Sequence, residues 1–320
     1  MRDILARAPK LSALVVGDVC LDRWCRYDPQ LGEPSRETGI PRTGVTQTEV
    51  TPGAAGTVAN NLAALGVGRV AVLGVVGQDG HGFELRRALG LRRIESELLI
   101  ESGDVQTFTY TKLINSQNGV EDQPRIDFVN PSALPGSIMR LVLDRLQNVF
   151  DQFDMILVAD QAESGCGGVV NEPVRQLVQE LIPVYPDKVV LVDSRAHLAE
   201  YRGVIAKPND IEAGAASQSL FGRVDYRALR EHIRAPLLLV THGREGVLLV
   251  TSRGEQWVKT KAVEKPVDIC GAGDSFAAGF AVAFAASRDA VKSAEFGNRV
   301  ASITIMKPGT GTASPDEILQ

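Results

Sequence analysis

The stretch VDICGAGDSF, residues 267–276, places three small residues at the start of a long apolar pattern of helical period. Backbone N–H groups in the first turn of a helix have no partner within the helix, and they lie at the positive end of its dipole. Gly271, Ala272 and Gly273 therefore predict a cradle for an anion such as phosphate. Asp274 follows in the first helical turn, where its carboxylate can accept a proton from a hydroxyl that attacks a phosphate. On spacing alone, an Asp that only complements the helix dipole is an equally good interpretation.

Outside this stretch, short apolar runs alternate with segments of helical period along most of the chain. Continuous apolar runs are typical of parallel strands that helices cover on both faces. The sequence therefore predicts a layered α/β/α domain with a mostly parallel central sheet. The expected strands are 13–19, 70–76, 155–159, 189–193, 204–206, 237–241 and 247–250, and the expected helices are 54–65, 82–89, 136–150, 172–182, 226–233, 272–287 and 289–306.

Two stretches, residues 42–51 and 106–128, are rich in Thr, Val and Tyr and break this alternation. Their partly alternating pattern indicates antiparallel strands that stand apart from the parallel sheet. We expect a single domain, 1–320, with a small β-sheet lid inserted as segments of about 22–51 and 106–130. Because an apolar face on such a lid needs cover, we also expect a homodimer formed through the lid.

Composition excludes several classes of protein. The chain has 320 residues, 44% hydrophobic and 23% charged, which is typical of a globular protein, and its net charge of -5 disfavours nucleic acid and anionic membranes as partners. The apolar stretch 276–286 is too short for a bilayer span, and the six apolar residues 11–16 are too short for a signal peptide core. The cysteines Cys20, Cys25, Cys166 and Cys270 form no CxxC pair, so we expect free thiols and a cytoplasmic location.

The motif Asp268-x-x-Gly-Ala-Gly-Asp274 resembles the signature of the ribokinase/PfkB family of carbohydrate kinases. Further elements of that family follow in the family's order over nearly the whole chain: GDVCLD (17–22), PGAAGTVA (52–59), GVVGQD (74–79), KPNDIE (207–212), THG (241–243) and FGN (296–298). Within the family, the chain is most similar to the kinase half of bifunctional ADP-heptose synthases, through GDVCLDRW (17–24), VAD (158–160), VDSR (192–195) and YRG (201–203). The sequence given stops at Gln320, and no nucleotidyltransferase half is expected in it.

The resemblance implies a ribokinase-like fold and an ATP-dependent kinase. It assigns the general base to Asp274 and the anion hole to Gly271, Ala272 and Gly273. It assigns sugar binding to Asp22, Gly53, Ala54 and Thr57, and the nucleotide side to Lys207, Asn209, Glu212, Thr241, Gly243 and Asn298. Glu212 would reach Mg²⁺ through water, although Asn209 and Glu212 also fit a helix capping box. A K⁺ site beside the anion hole would use Asp268, the Cys270 carbonyl, Thr304, Gly309 and Ser314.

The chain departs from the family pattern at two places. The sugar-side turn of the family has a second Gly and ends in Asn, where this chain has Ala54 and Thr57. After Asp160, the heptose kinases usually have an aromatic residue and then Gly-Lys-Gly, whereas residues 161–168, QAESGCGG, contain no Lys. A distal phosphate on the sugar therefore loses a partner that Lys112, Arg125 or Arg195 would have to replace.

The activity that the resemblance implies is ATP-dependent phosphorylation of a hydroxyl on a monosaccharide or a sugar phosphate, with a heptose 7-phosphate as one candidate. Two alternatives stay open. One is a non-catalytic sugar or phosphosugar sensor on the same fold, which the departures at Thr57 and after Asp160 would favour. The other is a nucleoside kinase, whose purine ring would stack on Phe108, Tyr110 or Phe128.

Overall fold

A computed structural model describes residues 1–161, 168–261 and 263–320. Its strands are β1 (Ser12–Gly17), β2 (Val19–Asp28), β3 (Gly44–Ala54), β4 (Arg69–Leu73), β5 (Val75–Gly77), β6 (Ile100–Ser102), β7 (Thr109–Asn115), β8 (Ile126–Phe128), β9 (Met155–Asp160), β10 (Val189–Ser194), β11 (Ile205–Ala206), β12 (Leu238–Thr241), β13 (Gly246–Thr251) and β14 (Gly254–Lys259). Its α-helices are α1 (Arg2–Arg7), α2 (Ala55–Ala64), α3 (Gly80–Leu91), α4 (Gly136–Val149), α5 (Glu172–Leu181), α6 (Asp210–Phe221), α7 (Tyr226–His232), α8 (Ala272–Ser287), α9 (Ala290–Thr304) and α10 (Pro315–Leu319).

The central sheet has eight strands in the order β14-β13-β12-β11-β10-β9-β1-β4. Six neighbouring strands of this sheet pair in parallel, in the order β12-β11-β10-β9-β1-β4. The strands β13 and β14 pair antiparallel at one edge. The predicted mostly parallel sheet is thus confirmed. Side chains of β1 alternate between two cores: Ala13 and Val15 pack in one, Leu14 and Val16 in the other, and all four are fully buried. Burial on both faces explains why the strand is a continuous apolar run.

Helices cover both faces of this sheet. Residues of α2, α8 and α9 belong to the first core, and residues of α4, α5, α6 and α7 belong to the second. The helices α8 and α9 approach closely at two glycines. A Cβ on Gly297 would lie 2.9 Å from the Phe276 ring, and a Cβ on Gly279 would lie 2.8 Å from Val300. The glycine of the FGN motif is therefore required for helix packing.

A second sheet has the order β3-β2-β7-β8 and lies apart from the central one. The pairs β2–β3 and β7–β8 are antiparallel, as expected of the lid strands, whereas the central pair β2–β7 is parallel. The alternation on β2 turns Asp22 and Trp24 to one face of this lid and Cys25 and Tyr27 to the other, where they pack with Leu113.

Every predicted helix and strand is present, with the runs 13–19 and 70–76 each divided into two segments. The first division lies at Asp18, directly after Gly17, and the second lies at Gly74, where a Cβ would come within 2.7 Å of the Gly17 carbonyl oxygen. The sequence analysis missed α1, α10, β6 and β14, predicted only the capping box at the start of α6 and did not recognise β2 as a strand. Among the residues that the structure describes, no helix has the length and apolar character that a bilayer span requires.

Candidate active site

The anion cradle lies at the edge of the sheet where β9, β10, β11 and β12 end and α8 begins. Gly271 caps α8 with φ +74°, and a Cβ there would lie 3.1 Å from Thr57 Cγ2 and 3.3 Å from Thr310 Cγ2. Both the left-handed backbone and the crowding favour glycine at this position. The predicted turn before a long apolar helix is therefore confirmed, with Asp274 in its first turn.

Asp274 lies in the first turn of α8 at this edge and is half-buried. Burial, followed by the negative charge of Asp193, raises the pKa of its carboxyl group to about 7, although Lys207 and a hydrogen bond from Gln161 act in the opposite direction. Nε2 of Gln161 donates to Oδ1 of Asp274 at 2.9 Å. A carboxylate whose pKa lies near neutral pH is suited to accept and release a proton.

Lys207 lies beneath the cradle and is only 3% exposed. Its Nζ pairs with Oδ2 of Asp193 at 2.8 Å, and a Cβ on Gly273 would lie 3.5 Å from the same Nζ. Burial opposes the charge of this ammonium group, but Asp193, Asp274 and Glu212 together outweigh burial and raise the pKa of Lys207. A permanent positive charge therefore stands directly behind the backbone that would receive a phosphate.

A cavity of about 220 Å³ connects Asp274 with the lid. It is lined by acidic, cationic, aromatic, amide and small residues: Asp22, Trp24, Ala54, Thr57, Tyr110, Lys112, Arg125, Gln161, Arg195, Cys270, Gly271, Asp274 and Thr310. Burial raises the pKa of Asp22 to about 6, although Lys112 and Arg125 lower it. The structure thus brings Asp22, Ala54 and Thr57, which sequence reasoning assigned to the sugar, to the same cavity as Asp274. We call it the acceptor cavity.

The turn that the resemblance assigns to the sugar is crowded at Gly53. A Cβ on Gly53 would lie 2.2 Å from Oδ1 of Asp22, so only glycine leaves room for that carboxylate. Ala54 has φ +51° and ψ -119°, a backbone conformation that favours glycine. Thr57 is only 2% exposed, and its methyl group faces Gly271. Thr57 therefore supports the cradle as well as lining the acceptor cavity.

Asn209 and Glu212 form the capping box that their spacing predicts at the start of α6. Oδ1 of Asn209 accepts from the Glu212 N–H at 2.8 Å, and Oε2 of Glu212 accepts from the Asn209 N–H at 2.8 Å. Burial raises the pKa of Glu212. Within the described residues, no group of three His, Cys, Asp or Glu side chains could hold a metal.

The residues assigned to the nucleotide lie along the same edge. Thr241 ends β12, and its N–H donates to the Pro208 carbonyl at 3.0 Å, which ties the TxG strand to the KPNxxE element. Gly243 begins the next turn with φ +51°. Asn298 donates from Nδ2 to the Val258 carbonyl at 3.1 Å and lines a cavity of about 420 Å³ between α9 and the end of β14.

Three of the residues assigned to K⁺ are brought together. Oδ1 of Asp268 accepts from the Cys270 N–H at 2.9 Å, and Oδ2 accepts from the Gly309 N–H at 3.1 Å. The other two residues assigned to K⁺ have hydroxyl groups that form hydrogen bonds elsewhere. Oγ1 of Thr304 donates to the Ala301 carbonyl, and Oγ of Ser314 donates to Glu317 in the capping box of α10. Sequence similarity alone does not predict that these hydroxyls already donate hydrogen bonds within the protein.

Sequence reasoning missed Gln161 and Asp193 as site residues. A signal was available for Asp193, because it is an acidic residue near the end of an apolar run at the sheet edge that carries the site. The departure after Asp160 covers residues 161–168, and residues 162–167 with Cys166 lie outside the described part of the chain. The other cysteines are free, with Cys20 and Cys25 buried and Cys270 exposed.

Comparison with known proteins assigns the chain to a family. The family model described as pfkB family carbohydrate kinase matches residues 10–317. The bifunctional protein HldE of Geobacter sulfurreducens is 31% identical over 328 residues, and that of Trichlorobacter lovleyi is 30% identical over 329 residues. Both matches cover all of this chain and 64% of the relative, so the chain spans less than two thirds of the length of these relatives.

Solved structures show the same fold. Ribokinase from Thermotoga maritima matches with a TM-score of 0.69 at 20% identity, over 97% of this chain and 98% of that chain. Phosphofructokinase-2 from Escherichia coli in complex with potassium matches with a TM-score of 0.70 at 19% identity, over 97% of each chain. The chain therefore belongs to the pfkB family of carbohydrate kinases.

Proposed function

We propose that this kinase transfers the terminal phosphoryl group of ATP to a hydroxyl of a sugar phosphate, with a heptose 7-phosphate as the first candidate. One observation carries the proposal: the cavity that holds Asp22 and Asp274 is also lined by three cationic side chains, Lys112, Arg125 and Arg195. A neutral sugar needs no such charge, whereas an acceptor that already carries a phosphate does.

These cations also serve the protein itself. Nζ of Lys112 lies 3.5 Å from Oε2 of Glu121, Arg125 pairs with Asp127 at 2.7 Å, and the Arg125 guanidinium lies over the Tyr110 ring. The pairs are at the lid surface, where an ion pair contributes at most about 1 kcal/mol, so they are easily exchanged for a phosphate. The lid would in this way supply the charge that the chain lacks after Asp160.

The reaction follows from the arrangement of the site. Asp274 accepts the proton of the acceptor hydroxyl, while the hydroxyl oxygen forms a bond to the γ-phosphorus and the bond to the leaving ADP oxygen breaks. The backbone of 271–273 and Lys207 stabilise the charge on the transferred group. Mg²⁺ would neutralise the ATP phosphates, with Asn209 and Glu212 facing it through water. A K⁺ ion beside Asp268 and Gly309 would stiffen the turn, and the structure of phosphofructokinase-2 from Escherichia coli is a complex with potassium.

The test is a panel of phosphorylated and unphosphorylated C5 to C7 sugars, with ribonucleosides included, scored by acceptor-dependent ADP release. We expect sugar phosphates to exceed their unphosphorylated forms at least 100-fold in kcat/KM. Equal use of unphosphorylated sugars or of ribonucleosides would contradict the proposed acceptor class. Binding of sugar phosphate without any turnover would contradict the kinase mechanism and favour a sensor.

Two variants connect the panel with the residues. Asp274→Asn should lower kcat at least 100-fold, which corresponds to about 3 kcal/mol, and a loss of less than tenfold would contradict its role as the base. Arg195→Met should raise KM for the sugar phosphate at least tenfold. Arg23→Met is the matched control, because Arg23 lies on the same lid strand as Asp22, does not line the acceptor cavity and pairs with Glu84 at 3.8 Å.

The lid also supports the expected homodimer. Its strands and the adjoining loop expose Val45, Ile126, Phe128 and Val129 at 37% to 51% of their surface. A second copy that covers this apolar surface would stabilise the lid over the acceptor cavity. Light scattering should give twice the chain mass, and a monomer at every concentration would contradict the dimer.

A further inference from the structure

Gln161 directly follows β9 and lies beside the first turn of α8, where it faces Asp274. Its side chain lines the acceptor cavity and also a second cavity of about 310 Å³ on the other side of Ala54 and Tyr110. Its Nε2 is 2.9 Å from Oδ1 of Asp274. An ionised carboxylate can only accept, so the amide must present its N–H₂ group to Asp274.

We propose that Gln161 is a positioning residue that holds Asp274 through Oδ1 and leaves Oδ2 as the oxygen that takes the proton of the acceptor. This inference rests on the proposed role of Asp274 as the general base. A free Asp side chain rotates about its terminal torsion and presents either oxygen, whereas a donor fixed on one oxygen fixes the direction of the other. Correct orientation of a reacting group is one of the larger contributions to catalysis.

The charge around Asp274 explains why the hydrogen bond matters. Charged and titratable groups face it from several elements: Asp193 from β10, Arg195 and Lys207 from the turns after β10 and β11, and Asp22, Lys112, Arg125 and Cys270 from the walls of the acceptor cavity. Burial and Asp193 favour the neutral form of Asp274, and Lys207, Gln161 and Arg195 favour the charged form. Gln161 differs from these cations because it also fixes a direction.

Gln161 directly follows Asp160, the last residue of β9. A phenyl ring offers no donor to a carboxylate, whereas the primary amide offers two N–H groups. The chain has therefore placed an amide between its acceptor cavity and its base.

The experiment compares the variants Gln161→Ala, Gln161→Glu and Gln161→Phe with the parent protein in steady-state kinase assays at a series of pH values. We expect kcat to fall at least tenfold for each variant, KM for ATP to stay within twofold, and the acid limb of kcat to move to higher pH. Gln161→Glu is nearly isosteric, so it replaces the amide donor by a carboxylate without leaving a void. Gln179→Ala is the control, because its Nε2 donates to the Arg175 carbonyl on α5, and it should behave as the parent.

Asp274→Asn separates this inference from the proposed function. If Asp274→Asn retains more than a tenth of the parent kcat, the base assignment fails and this inference fails with it. If Asp274→Asn is inactive but Gln161→Ala keeps the parent kcat and pH profile, only the role of Gln161 is wrong. If Asp274 is the base and Gln161 orients it, adding Gln161→Ala to Asp274→Asn should lower kcat by less than a further twofold. The positioning residue then has no base to orient.

Discussion

Replacing Ala54 by glycine should stabilise the protein. Ala54 joins β3 to α2 with φ +51° and ψ -119°, a region that an L-residue enters only under strain. Such strain costs about 1–3 kcal/mol. Glycine would relieve it, although the unfolded chain gains freedom that costs about 0.5–1 kcal/mol, and loss of a half-buried methyl group costs less than about 0.8 kcal/mol. The balance favours Ala54→Gly by about 1 kcal/mol.

The neighbouring residue provides the matched control. Ala55 begins α2 and is fully buried, so glycine there removes a methyl group from the core and relieves no strain. Ala55→Gly should therefore destabilise by about 1 kcal/mol or more. The assay is equilibrium unfolding in urea at constant pH, with the two variants and the parent measured side by side.

Opposite signs for these adjacent substitutions are the expected result. A loss of stability in Ala54→Gly as large as that in Ala55→Gly would refute the argument from backbone strain. Because Ala54 also lines the acceptor cavity, we expect the stabilised variant to show a changed KM for the acceptor and an unchanged KM for ATP.

Three further predictions concern buried charge. Gly53→Ala should displace the Asp22 carboxylate, raising the acceptor KM at least tenfold and leaving the ATP KM within twofold in steady-state assays. Burial raises the pKa of Asp18 to about 6, so its contribution to stability is lost as the pH rises through 6, and Asp18→Asn should be the more stable protein at pH 8 but not at pH 4.5. The gain, measured by urea unfolding, is at most about 3 kcal/mol. Lys207→Met should cost about 3 kcal/mol and move the acid limb of kcat to higher pH, while adding Asp193→Asn should restore stability without restoring activity.

The sequence predicted those parts of the fold that local pattern determines. The parallel strands appear as apolar runs because both their faces are buried, and the cradle appears because small residues before a long apolar helix leave its N–H groups accessible. The capping box at Asn209 and Glu212 was also visible, since its two members stand three residues apart. Each of these features requires only a few consecutive residues.

The missed elements lack such a pattern. The helix α6 has the sequence DIEAGAASQSLF, whose small residues give no clear apolar face, and β14, GEQWVK, is a mostly exposed edge strand. The contacts at the site depend on sheet order rather than on local sequence. Gln161 and Asp274 are 113 residues apart, and Asp193 meets Lys207 only because β10 and β11 are neighbours. No spacing rule contains that information.

The pair of Asp193 and Lys207 determines what Asp274 can do. If Lys207 faced Asp274 alone, its full charge would lower the pKa of that carboxyl group and weaken it as a base. Burial raises the pKa of Asp274 to about 7, and Asp193, whose Oδ2 lies 2.8 Å from Nζ of Lys207, adds to that rise and offsets much of the ammonium charge. The ammonium group is still close enough to the cradle to attract phosphate. The ion pair thus provides a cation behind the transferred group without lowering the pKa of the proposed base far below neutral pH, which is why the pair should be essential for activity even where its removal is tolerated by the fold.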